Sequence, residues 1–131
     1  MAKYTLKKKE ILSGQIKINE VFNSGKTLFV YPLKIFYNQK QDSTTHESKV
    51  LFSVSIPKKI FKRAVDRNLL KRRIREAYRL NKFILSDNII NDIQLSFMLV
   101  YVGKKIESFS KIEKSMLQII NLLNEKINHE K

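Results

Sequence analysis

The chain has no cysteine, which excludes a disulfide framework, a zinc knuckle and a thiol nucleophile. Tryptophan is absent too, and only three glycines and two prolines occur in 131 residues. So few glycines leave no glycine-rich loop to cradle a nucleotide phosphate. The histidines are His46, in a polar stretch, and His129, near the C-terminus, and neither has a partner at a spacing that builds an acid–base pair. No apolar run approaches the ~20 residues of a membrane span. The basic N-terminus, residues 1–9, lacks the apolar stretch of a signal peptide. These absences lead to the expectation of a cytoplasmic protein. Length and composition, 43% hydrophobic and 10% aromatic, fit one domain over residues 1–131, with residues 1–10 as a basic arm.

Acid is scarce as well, with 12 Asp and Glu against 26 Lys and Arg, a formal charge of +14. All six arginines fall between Arg63 and Arg79. The segment Lys58 to Lys82 carries eleven basic residues against two acids, Asp66 and Glu76, and so holds +9 of that charge. Such a concentration repels itself unless a polyanion neutralises it. Arginine suits phosphate because its planar fork donates two parallel hydrogen bonds and stays charged. A merely solvated surface would scatter its charges and favour lysine. The implied partner is a nucleic acid.

The pattern along the chain predicts an α+β fold, with a small mixed sheet of about four strands packed against helices. Ile16, Ile18, Val21 and Phe22 suggest a short amphipathic helix over residues 13–23, ended by Ser24-Gly25. Thr27 to Tyr37 reads as one strand, with Pro32 marking an edge or a bulge. Asn38 to Ser48 reads as a hairpin loop and Lys49 to Ile56 as a second strand stopped by Pro57. A long helix starting at Phe61 or Arg63 runs to Asn81. A loop over 86–92 leads to a third strand, Ile93 to Val102, broken by Gly103. Ser110 with Glu113 has the capping-box pattern at the head of a C-terminal helix carrying Ile112, Met116, Leu117, Ile119, Ile120, Leu122, Leu123 and Ile127. Strand, basic helix, strand makes a βαβ-type unit.

At ~100° per residue, Arg67, Asn68, Lys71, Arg72, Arg75 and Arg79 share one arc of the central helix, while Leu70, Ile74, Ala77 and Tyr78 share another. One stripe packs on the sheet and the other presents guanidinium groups in a row. Like charges four residues apart destabilise an isolated helix, a cost that phosphates along the row would offset. Asn68 can donate and accept, so it suits a sugar hydroxyl or a base edge, or stands as a solvated helix residue. Asp66 and Glu76, crowded by arginines, fit local ion pairs, and Asp87 and Asp92 fit turn or cap roles.

The run Ala64-Val65-Asp66-Arg67-Asn68-Leu69-Leu70-Lys71-Arg72-Arg73-Ile74-Arg75-Glu76-Ala77-Tyr78-Arg79 closely resembles the signature helix of the bacterial ribonuclease P protein subunit. Phe52-Ser53-Val54-Ser55-Ile56-Pro57-Lys58-Lys59 is similar to that family's strand into the helix, and Glu20-Val21-Phe22-Asn23-Ser24-Gly25 to the end of its first helix. The resemblance spans about residues 6 to 127, the central motif being its specific part. It departs at Leu69, where the family's triplet ends in arginine; Arg72 or Arg73 could supply that charge.

The resemblance implies an accessory subunit of a ribozyme that removes the 5′ leader from precursor tRNA. It implies a left-handed βαβ crossover, an exception to the usual hand, and a basic helix that docks on the catalytic RNA. The RNA-binding set is then Lys58, Lys59, Lys62, Arg63, Arg67, Asn68, Lys71, Arg72, Arg73, Arg75 and Arg79. A cleft between that helix and the sheet would guide the single-stranded leader, which aromatic platforms flanked by charge can hold. Its candidates are Ile18, Phe22, Tyr31 and Phe36 for stacking or apolar contact, with Ser53 and Ser55 as hydroxyls. For each apolar residue the competing role is plain core packing.

No catalytic residue is expected in the protein, and no cofactor on conventional protein ligands. Mg²⁺ is expected in the holoenzyme through the RNA. The expected partners are the catalytic RNA and precursor tRNA, and the protein is expected to be monomeric without RNA. A ribosomal-protein-like RNA binder shares the size and charge but has no reason to reproduce the helix signature. A DNA-binding regulator would need a helix-turn-helix or a dimerisation segment, which a single long basic helix between strands does not provide.

Overall fold

The computed structural model describes residues 21, 23, 26–41, 50–86 and 93–129. Four strands, β1 (Lys26–Val30), β2 (Leu33–Gln41), β3 (Val50–Ser55) and β4 (Ile93–Tyr101), form one sheet in the order β1-β2-β4-β3. β1 and β4 both run antiparallel to β2, while β3 and β4 pair parallel. Between β3 and β4 lie the long helix α1 (Ala64–Asn81) and the four-residue helix α2 (Phe83–Ser86), and α3 (Phe109–His129) closes the described chain. Parallel neighbours need a crossover, and α1 supplies it. The expected βαβ unit is therefore present, in a four-stranded α+β fold.

Strand alternation divides the sheet into two unlike faces. Leu33, Ile35 and Tyr37 of β2, Phe52 of β3, and Leu95, Phe97, Leu99 and Tyr101 of β4 face the helices, and all are buried. Against them pack Leu70, Ile74, Ala77 and Tyr78, the four buried residues of α1. These are the residues that helical periodicity assigned to its core stripe. α3 contributes Ile112, Met116, Ile119, Ile120, Leu123 and Ile127. Leu117 and Leu122, which the sequence grouped with that apolar set, are instead 41% and 38% exposed. The ring of Phe52 lies 4.3 Å from that of Tyr78, and Phe97 meets Tyr78 edge-on at 5.5 Å. Fully burying such a side chain contributes about 1.5–3 kcal/mol, so α1 is fixed to the sheet by its inner stripe whatever its outer stripe carries.

Several expectations are corrected. Thr27 to Tyr37 is two strands rather than one, since the chain reverses at Tyr31-Pro32, whose peptide bond is cis, and Val30 pairs with Leu33. Proline cannot donate to a ladder, and here it occupies the turn instead of a bulge. Asn38 to Ser48 is not a hairpin loop, because β4 sits between β2 and β3 and β2 continues to Gln41. α3 begins at Phe109, with Ser108 as its cap: the Ser108 hydroxyl accepts from the Lys111 N–H at 3.2 Å. Phe109, the first residue of the helix, packs on the core. Of the helix expected over residues 13–23, only Val21 and Asn23 lie among the described residues, and both are helical.

Candidate nucleic-acid interface

α1 starts without a side-chain cap, from Arg63 in extended conformation, and carries Asp66 in its first turn, where a carboxylate complements the helix dipole. Its outer side is the arginine row. Asn68, Lys71, Arg72, Arg75 and Arg79 line one shallow groove, together with Arg73, Glu76 and Phe109 at the start of α3. Five of the six residues predicted to share an arc are thus brought together. Lys58, Lys59, Lys62 and Arg63 are exposed on the segment leading into the helix.

Three arginines of the predicted set also hold the fold. Arg67 Nη1 donates to the carbonyls of Phe61 and Lys62 at 2.8 and 2.9 Å, securing the turn before the helix. Arg73 Nη1 donates to the Glu107 carbonyl at 2.6 Å and ties α1 to the β4–α3 loop. Arg79 donates twice to the Glu76 carboxylate, at 2.7 and 2.8 Å. Those hydrogen bonds hold the Glu76 carboxyl below its ordinary range, and the same partnership raises Arg79. Arg63, Lys71, Arg72 and Arg75 make no such internal bond among the described residues, so their donors remain for an external phosphate.

The second candidate set lies elsewhere. The space between α1 and the sheet is filled by the core, so no strand of nucleic acid can pass there, and the expected cleft between basic helix and sheet is corrected. Phe36, Ser53 and Ser55 face the other way. The strand register sets Thr27, Phe36, Met98 and Ser53 in one row across that second face, and Phe29, Lys34, Val100 and Ser55 in the next. Phe36 and Val100 pack at the edge of a small cluster of Val21, Leu51 and Met98. The Lys34 ammonium stands 5.1 Å from the centre of the Phe36 ring, and Phe29 is 59% exposed. Aromatic surface, hydroxyls and a positive charge thus share one face, and Phe29 and Lys34 are members that sequence reading missed. Alternation with Phe36 alone places Lys34, whereas Phe29 was hidden while β1 and β2 were read as a single strand.

Tyr31 does not join this group. Its hydroxyl donates to the Glu107 carboxylate at 3.4 Å, its carbonyl accepts from the Ser115 hydroxyl at 2.6 Å, and the Lys111 ammonium lies 5.2 Å from its ring centre. The β1–β2 turn carries it to the start of α3. Ile18 and Phe22 lie outside the described residues. Among the described residues, no three His, Asp or Glu side chains stand together to hold a metal ion, and no helix is long and apolar enough to cross a membrane.

A helix with one buried stripe and one cationic stripe, laid across a sheet whose far face offers aromatic and hydroxyl groups, defines an RNA-binding α+β protein. Comparison with known proteins narrows the class. The family described as Ribonuclease P matches residues 6–124. The ribonuclease P protein component of Porphyromonas gingivalis is 38% identical over 117 residues, covering 88% of this chain and 83% of its own. That of Chlorobium phaeobacteroides is 36% identical over 129 residues, covering 92% and 86%. The solved RNase P protein of Staphylococcus aureus shares the fold at a TM-score of 0.66 and 16% identity, over 87% of this chain and 94% of its own. The RNase P protein of Thermotoga maritima does so at 0.63 and 19%, over 85% and 94%. The chain belongs to the ribonuclease P protein component family.

Proposed function

We propose that this chain is the protein subunit of a ribonuclease P holoenzyme, docking on the catalytic RNA through the outer side of α1 and contacting the 5′ leader of precursor tRNA with the exposed groups of the opposite face of the sheet. The observation that carries the reading is the separation of two surfaces. One is a row of uncompensated basic side chains, Lys71, Arg72 and Arg75, that suits a phosphate backbone. The other is the aromatic and hydroxyl face around Phe36, Ser53 and Ser55, which suits unstacked bases. The protein positions both RNAs and neutralises their charge. Scission is assigned to the RNA and the Mg²⁺ it holds, a reading supported by the match of the chain to the ribonuclease P family. The test is cleavage of precursor tRNA at low Mg²⁺ by catalytic RNA with and without this protein. The protein should stimulate the RNA and leave the substrate uncut when alone. Metal-dependent cleavage by RNA-free protein would overturn the assignment.

A further inference from the structure

The loop between β4 and α3, residues 102–108, carries two exposed lysines, Lys104 and Lys105, that lie outside the arginine cluster. Its backbone is fastened from several sides. The Val102 N–H donates to the Pro32 carbonyl at 2.8 Å. The Tyr101 hydroxyl donates to the Lys105 carbonyl at 2.6 Å and accepts from the Glu107 N–H at 3.1 Å. Arg73 holds the Glu107 carbonyl from α1. Gly103 fits because it has no side chain: a Cβ there would meet the Tyr101 ring at 3.0 Å and Pro32 at 3.1 Å. The only acid of the loop, Glu107, is 7% exposed, with its carboxylate 3.7 Å from the Lys111 ammonium and within reach of the Tyr31 hydroxyl. Neither Lys104 nor Lys105 is paired with a carboxylate among the described residues.

The position matters as much as the charge. The Arg73 bond sets the loop against α1, and Phe109, two residues past Glu107, lines the same groove as Lys71, Arg72 and Arg75. The loop therefore belongs to the helix layer, across the sheet from Phe36 and Ser53. We propose that Lys104 and Lys105 are a second phosphate contact for the catalytic RNA, continuous with the row on α1. This rests on the reading that α1 docks on that RNA. A lysine is a point charge that binds phosphate without bidentate geometry. A loop already fixed by hydrogen bonds loses little freedom when the RNA arrives.

The experiment measures binding of the full chain to the catalytic RNA over a range of salt concentrations. Two lost phosphate neighbours flatten the log–log salt slope by about 1.8, equivalent to roughly 30-fold weaker binding at 0.15 M salt. Lys104→Ala with Lys105→Ala should show this. Lys126→Glu, the same charge change on the exposed far part of α3, should leave the slope near that of the parent. Lys104→Arg with Lys105→Arg should retain the parent slope. Thermal melts establish that each variant folds. If the alanine pair leaves the slope unchanged while Arg75→Ala flattens it, the loop proposal fails and the α1 reading stands. If Arg75→Ala leaves it unchanged too, both fail. Equal flattening by Lys126→Glu, or a loss confined to precursor-tRNA binding by the assembled holoenzyme, also overturns the proposal.

Discussion

The outer side of α1 and the opposite face of the sheet both suit RNA, but through different physics. On α1 the groups are long, cationic and directed at whatever carries negative charge, so attraction is strong, sequence-blind and weakened by salt. On the sheet the groups are Phe36, Phe29, Ser53 and Ser55 with one lysine, Lys34, beside an aromatic ring. Stacking and hydroxyl contacts there act at short range on the bases. The core between them keeps the two surfaces apart, because Phe52, Phe97 and Tyr78 fill the space that either RNA would otherwise enter. A protein built this way can hold a structured RNA on one side and read a flexible strand on the other. Substitutions on the two faces should therefore fail in different assays.

The largest effect is expected from Arg72→Glu combined with Arg75→Glu. Each charge-assisted hydrogen bond lost is worth about 1.5–3 kcal/mol, so binding to the catalytic RNA should weaken by at least about 100-fold, with a flatter salt slope. Arg67 is the wrong position for this test, because its guanidinium secures the Phe61 and Lys62 carbonyls and its loss would loosen the turn into α1. If the double reversal binds the catalytic RNA like the parent, α1 is not the docking surface.

Phe36→Ala probes the other face. Losing one stacked base is worth about 1–3 kcal/mol, so the holoenzyme should bind precursor tRNA about five- to 150-fold more weakly, while mature tRNA, which lacks a leader, binds as before. Because Phe36 is only half-buried, the fold should survive, which circular dichroism can verify. Equal loss for both tRNA forms would mean that the ring supports the sheet and does not meet the leader.

What the sequence made legible follows the same division. The two stripes of α1 were readable because a helix repeats its faces locally: Leu70, Ile74, Ala77 and Tyr78 are buried, and five residues of the basic arc share a groove. The opposite face of the sheet was only partly readable. Ser53 and Ser55 followed from alternation, and Lys34 lay two residues from Phe36, but Phe29 depended on a hairpin turn, Tyr31-Pro32, that carries none of the usual Asn-Gly or Asp-Gly signals. The strand order was not readable, since pairing of β2 with β4 joins segments far apart in the chain. Nor were the internal duties of Arg73 and Tyr31, because a carbonyl or carboxylate partner contributed by a distant segment leaves no local pattern, nor that of Arg67, whose partners are backbone carbonyls that any residue carries.

Tyr101→Phe tests the support beneath the helix layer. Its hydroxyl bridges the Lys105 carbonyl and the Glu107 N–H, and removal strands both groups, at a cost of about 1–3 kcal/mol. Burial raises the phenol above its ordinary 10.0, against the lowering influence of the Glu107 N–H. A raised value means that the neutral form is favoured in the fold, so this stabilisation is complete below pH ~10 and declines as pH rises through the folded value. Thermal melts should show the variant less stable at pH 8, with the gap to the parent narrowing above pH 10. A gap that stays constant to high pH would remove Tyr101 from the account. Leader recognition should change little at neutral pH, since the opposite face of the sheet is not involved.

The smallest effect concerns Glu76, the only acid among the described residues that line the basic groove. Its carboxylate occupies two donors of Arg79, so it both subtracts charge and withholds a guanidinium from the RNA. Glu76→Gln removes the negative charge and weakens that hold. One further phosphate neighbour steepens the salt slope by up to about 0.9, which at 0.15 M salt is roughly a two- to fivefold gain in affinity for the catalytic RNA. The hydrogen bonds from Arg79 depress the Glu76 pKa, so the ion pair is fully formed above the ordinary carboxylate range and is lost only as pH falls below it. Between pH 6 and 8 the carboxylate is therefore charged throughout, and the gain should be constant across that window. Precursor-tRNA affinity of the assembled holoenzyme should not change. Weaker binding to the catalytic RNA would instead mean that Glu76 serves the interface by holding Arg79 in position.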